Sequence, residues 1–190
     1  MKLADFIQQN LEVILQEWET FARSLLPAAE SMNATALRDH AREILSAAAA
    51  DMRTDQSGAQ QKEKSLGHAD IPDASRSGAT IHGELRHDVG FDLVQVVAEY
   101  RALRASVLRL WIRHGPARDA GDFDDMLRFN EALDQAIAES VSGYSAELAK
   151  ARDTFTAILG HDLRSPLGAI LMSAHNAASH DIPEPAMRAV

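Results

Sequence analysis

From Phe123 onward, residues recur at alternating spacings of four and three: Phe123, Leu127, Asn130, Asp134, Ile137, Val141, Tyr144, Leu148, Ala151, Phe155 and Ile158. Only a long helix places all of these on one side, because strand patterning alternates every second residue. A 3.5-residue period is moreover that of a helix supercoiled on a partner. Asn130 and Asp134 are two polar breaks in the seam. The spacing fits an amphipathic helix packed on its own domain. Because the seam continues unbroken into the segment beyond Ile158, it predicts instead a parallel homodimer with a continuous helix from Asp122, its cap, to about Ser179.

The rest of the chain predicts the same class, all-α. Six prolines and two tyrosines stand among many alanines and leucines. A first helix is expected from Leu3 to about Leu26, with Phe6, Ile7, Leu11, Ile14, Leu15 and Trp18 as its stripe and Pro27 at its end. A second is expected from about Ala34 to Met52, capped by Asn33, and a long polar loop over 54–78 with a helical turn near Gln60 to Leu66. A third runs from Ala79 to Val89. A fourth runs from Phe91 to Arg113, stopped by His114-Gly115-Pro116. Trp18 and Trp111 are expected in the core.

Composition narrows the function classes. Without cysteine there are no disulfides and no thiolate chemistry. A net charge of −9 argues against a basic nucleic-acid-binding face. Asp5 comes too early for a secretory signal. The most apolar long run, Phe91 to Ile112, is interrupted by Glu99, Arg101, Arg104 and Arg109, so no membrane span is expected. The expected compartment is the cytoplasm.

The run Gly160-His161-Asp162-Leu163-Arg164-Ser165-Pro166-Leu167 carries the chemistry. It puts an imidazole, a carboxylate and a hydroxyl within about one turn of ~5.4 Å, beside a proline that removes one helix hydrogen bond. A Ser-His-Asp hydrolase is the disfavoured rival, since all three groups share one turn with no nucleophile elbow or oxyanion hole nearby. With Phe155 before it and Ile170 after it, the run resembles the phosphoacceptor box of sensor histidine kinases over about Asp153 to Asn176. Gly160 departs from the family's usual serine. The resemblance implies that His161 takes the γ-phosphoryl group of ATP. Imidazole suits this, being half-neutral near physiological pH. Asp162 is then the general base that orients the ring and accepts its proton. Ser165, at i+4, would help orient a water for dephosphorylating the response regulator, and Arg164, at i+3, would contact phosphate or an acidic partner.

The family's separate ATP-binding domain is not found, and no Gly-rich phosphate loop occurs. His180-Asp181-Ile182-Pro183-Glu184-Pro185 resembles the loop after the first helix of the family's dimerisation hairpin. The expectation is therefore a fragment of a longer kinase that uses ATP and Mg²⁺, itself inactive alone and free of cofactor or metal.

His82-Gly83-Glu84-Leu85-Arg86-His87, Glu99-Tyr100-Arg101-Ala102-Leu103-Arg104 and Trp111 resemble the N-terminal domain of stressosome RsbR-type proteins and related kinase sensors. That resemblance implies a globin-like, haem-free, dimerising sensor over residues 1–146, followed over 147–190 by a signalling helix and a truncated phosphoacceptor domain. His82 and His87 lie five apart and do not share a helix face, which disfavours a metal pair. Either one alone could be the axial ligand of a haem. Glu99, Arg101 and Arg104 read as an ion-paired helix face, or as the lining of an anionic ligand pocket. The reading reached is the sensory and dimerisation region of a homodimeric histidine kinase that answers to a protein or small-molecule signal and serves a response regulator. A stressosome-like scaffold and a haem- or ligand-binding sensor are the alternatives.

Overall fold

In a computed structural model, residues 1–24, 34–66, 77–114 and 120–179 are described. Among them are seven helices and no strand. The expected features at Pro27, Asn33 and Gly115-Pro116, loop residues 67–76 and residues 180–190 lie outside the described residues.

The expected first helix is two: α1 (Leu3–Gln9) and α2 (Leu11–Arg23). Asn10 divides them at φ −115° and ψ 17°; its backbone N–H and its side-chain amide both donate to the Phe6 carbonyl. An asparagine side chain that satisfies nearby backbone competes with helix continuation, and periodicity alone does not register this. The division lets α1 bury Leu3, Phe6 and Ile7 while α2 buries Ile14, Leu15 and Trp18.

Local hydrogen bonds set the next boundaries. α3 (Ala34–Asp51) buries Ala41, Ile44, Leu45, Ala48 and Ala49. The expected turn near Gln60 is a full helix, α4 (Gly58–Ser65), started by a reciprocal capping box between Ser57 and Gln60. α5 (Gly78–Asp88) begins at Ser77, whose hydroxyl accepts from the Thr80 N–H at 3.1 Å. It ends where Gly90, at φ 84°, lets its own N–H reach the His87 carbonyl and the Phe91 N–H reach that of Arg86. This is the left-handed glycine termination that satisfies orphan carbonyls. Asp92 and Gln95 then cap α6 (Leu93–His114) reciprocally, at 2.9 and 2.7 Å. α7 (Ala120–Ser179) runs for 60 residues. None of these helices is long and apolar enough to cross a membrane, among the described residues.

The chain divides into two units, Met1–Leu148 and Ala149–Val190. In the first, Trp18 and Trp111 are in the core as expected, and their indole N–H groups donate to the carbonyls of Glu99 and Met1 at 3.1 and 3.2 Å. α7 also closes the start of α1, where the Leu3 N–H donates to Asp125 Oδ2 at 2.8 Å.

The seam on α7 is split. Ile137 and Tyr144 pack against the core, and Tyr144 donates its hydroxyl to the Phe91 carbonyl at 2.9 Å. Phe123, Leu127 and Leu148 are exposed. The residues most deeply buried from this helix, Phe129, Leu133 and Ser140, lie one position off the seam. Within the first unit the seam thus serves the chain's own core along one edge and leaves the other open.

Candidate functional site

Two arrangements carry chemistry. The first is the histidine segment of α7, in the second unit. Every residue from 151 to 176 is exposed. The His161 side chain is 85% exposed, and its Nδ1 lies 3.3 Å from Oδ1 of Asp162. A proton on Nδ1 facing that carboxylate leaves the Nε2 lone pair pointing away, available to attack an electrophile. Pro166 sits inside the helix, so the Asp162 carbonyl has no N–H partner four residues on. Ser165 and Arg164 are exposed on the same turn.

The apolar residues of this stretch are equally open: Phe155, Leu159, Leu163, Leu167 and Ile170 are all more than 40% exposed. At ~100° per residue, Ile170 stands ~180° around the helix from His161, and Leu163 ~160°. The stripe and His161 occupy opposite faces. A second copy covering the stripe would leave His161 accessible.

Gly160 contributes no packing, because a Cβ there would meet nothing within 4 Å. Gly160→Ala should therefore stabilise α7 locally by ~1 kcal/mol through helix propensity alone. Circular dichroism across a thermal melt should show increased helicity; unchanged or reduced helicity would mean that the glycine is needed for its backbone.

The second arrangement lies in the core of the first unit. Arg86 donates through Nε to Glu99 Oε2 at 2.7 Å and through Nη2 to Oε1 at 2.9 Å, while His82 Nε2 lies 3.0 Å from Oε2. All three side chains are at most 2% exposed. The Arg86 guanidinium also covers the Phe91 ring, 5.0 Å from its centroid. Glu99 is thus ion-paired as expected, but to α5 in the core and not along one face of α6 with Arg101 and Arg104. Of the residues expected there, Arg101 is exposed and Arg104 pairs with Asp134 of α7. The i, i+4 spacing of His82 and Arg86 was the available signal, since it places both on one face.

Burial pushes the Glu99 carboxyl up, but the His82 donor and the Arg86 guanidinium outweigh that and hold it below the usual carboxylate range. Burial, with Arg86 and His40 nearby, pushes His82 down despite Glu99. His82 is then neutral, donates from Nε2, and leaves its buried Nδ1 without a partner. Burial also raises Tyr100 far above its ordinary value, keeping its hydroxyl protonated. Ser140 donates to the Ala79 carbonyl, so Tyr100 donates to Ser140 at 2.7 Å. One hydrogen-bonded path thus joins α6, α7 and α5.

A histidine with a lowered folded pKa makes the unfolded chain the stronger proton binder below its ordinary value of ~6.5. The resulting stability is present above that pH and is lost as pH falls towards the folded value. The urea midpoint should drop between pH 7.5 and 5.5, and His82→Gln should flatten that slope relative to wild type. An identical slope in the variant would remove His82 as its source.

The two histidines considered for haem are otherwise engaged. The free space beside His82, lined also by Trp18, Ile44 and Tyr100, is about 10 Å³, too small for a macrocycle. The His87 ring stacks edge-on against Tyr144, with centroids 5.2 Å apart. In comparisons with known proteins, no family model, no curated protein and no solved structure matches this chain.

Proposed function

We infer that this chain is the sensory and dimerisation region of a two-component sensor histidine kinase, with His161 as the phosphoacceptor. Support comes chiefly from one observation: an accessible His161–Asp162 pair lies opposite an exposed apolar stripe on the same helix. In this reading Nε2 of His161 attacks the γ-phosphorus of ATP. The N–P bond forms as the bond to the ADP oxygen breaks, and Asp162 holds and then accepts the Nδ1 proton. ATP and Mg²⁺ are presented by a separate domain, and the phosphoryl group passes to a response regulator. Residues 1–146 form the globin-like sensor, acting in the cytoplasm. The stripe Phe155–Ile170 pairs with a second copy of the chain, because an identical heptad register is its natural complement.

Regulation would travel along α7, which carries both Ser140 in the sensor core and His161 in the box. A shift of the helix pair is the two-state element.

The test uses the natural gene product that contains this chain, incubated with radiolabelled ATP and Mg²⁺. Acid-labile, alkali-stable label is expected on the wild type and none on His161→Gln. Asp162→Asn should slow labelling by about a hundredfold. Label that persists in His161→Gln, or no label on wild type, would overturn the phosphoacceptor assignment and leave a scaffold role.

A further inference from the structure

The first unit contains a cavity of about 300 Å³ bounded by α3, α4, the start of α5 and α7. This is at the lower end of the range for small-molecule pockets. The cavity is distinct from the His82 cluster, and nothing in the phosphoacceptor reading uses it. Its walls are mainly small and apolar: Ala47 and Ala48 from α3, Ala79 from α5, and Ala132 and Ala136 from α7. Short side chains on three facing helices leave the space unfilled.

The polar lining is unbalanced. Lys64, the sole cation among the described lining residues, is engaged by Asp51 Oδ1 at 2.7 Å. Glu139 is nine-tenths buried. Its Oε2 accepts from the Ser77 hydroxyl at 2.6 Å and its Oε1 from the Gln135 amide at 3.0 Å, both neutral donors. Among the described residues no cation lies within ion-pair distance of it, the lysine of the same cavity being paired with Asp51. A buried carboxylate is costly unless a positive charge compensates it. Glu43 adds a further negative charge to the lining.

The geometry points to a binding site for a small organic cation, an ammonium group on a short apolar body. The ammonium would sit by Glu139 and the body against the alanine walls. A metal ion is the poorer fit. Among the described residues no three His, Asp or Glu side chains are placed to hold one, and a bare ion would leave the apolar walls unused.

Hexylamine, protonated at neutral pH, is the probe, with hexanol and sodium hexanoate as controls of the same chain length. Calorimetric titration of the full chain should give saturable binding of hexylamine, at least tenfold tighter than either control. Glu139→Gln should weaken it at least tenfold. Ala47 is exposed at the cavity edge, so Ala47→Leu should fill the space without disturbing the core and produce a similar loss; it remains decisive should Glu139→Gln fail to fold. No saturable heat, hexanol binding as tightly as hexylamine, or wild-type affinity in either folded variant would overturn the proposal. None of these outcomes depends on the kinase reading.

Discussion

Glu99→Ala should cost about 3–5 kcal/mol of folding stability, the range for removing one partner of a buried ion pair. The intact pair is no strong stabiliser in itself, because two charges were taken out of water to form it. The loss arises from what remains. Arg86 is fully buried, and two of its donors face Glu99. Without the carboxylate those two donors lose their acceptor inside the core, and His82 loses its acceptor as well. Natural domains have roughly 5–15 kcal/mol in total, so the variant should lie near the edge of folding.

Urea unfolding at pH 7.5 measures this directly. A loss below about 1 kcal/mol would show that water reaches the cluster and screens it. The companion measurement is Glu99→Leu combined with Arg86→Met. Removing both charges should restore much of the stability lost in Glu99→Ala, since a well-packed apolar pair commonly matches a buried salt bridge. A double variant as unstable as the single one would place the deficit in packing rather than in the broken Arg86–Glu99 pair.

Gly83→Ala is the second large effect, and here two principles predict opposite signs. Inside a helix, alanine is favoured over glycine by ~1 kcal/mol. At Gly83, however, an added Cβ would overlap the Ser140 carbonyl oxygen and lie 2.7 and 2.9 Å from that residue's carbonyl carbon and Cα. These are backbone atoms, so no side chain can swing aside. A Cβ added at Gly143 would likewise lie 2.5 Å from the Thr80 carbonyl oxygen. The two glycines let α5 and α7 meet backbone to backbone. Overpacking should outweigh propensity and destabilise Gly83→Ala by about 3 kcal/mol.

Gly58→Ala is the control, because a Cβ there meets nothing within 4 Å, and it should be neutral or slightly stabilising. The same urea series reads both. Wild-type stability in Gly83→Ala would mean that the helices separate easily. Separation would also break the Ser140–Ala79 bond and the Tyr100 contact that depends on it. For the proposed signalling role this crossing is where a change in the sensor core would first reach α7.

How far residues alone reveal this protein depends on the range of the interaction concerned. Helix type and most helix ends follow from contacts within four residues. Ser57 with Gln60, Asp92 with Gln95, and the left-handed Gly90 are local hydrogen-bond devices. The break at Asn10 is equally local but hidden, because the apolar stripe continues across it and only the asparagine side chain marks the stop.

The opposition of His161 to its apolar stripe is set by helical period, and so could be read from spacing; the exposure of every face from 151 to 176 could not, because it depends on which helices reach the segment. The tertiary structure alone decides which edge of the α7 seam is buried, since Ile137 and Leu148 are equivalent in pattern and differ only in whether other helices reach them. It alone buries Glu99, through partners 13 and 17 residues away on α5, and requires glycine at position 83, through a backbone 57 residues further along the chain. Periodicity records a residue's neighbours on its own helix; charge pairing, close approach and cavity volume are properties of helices that meet only on folding.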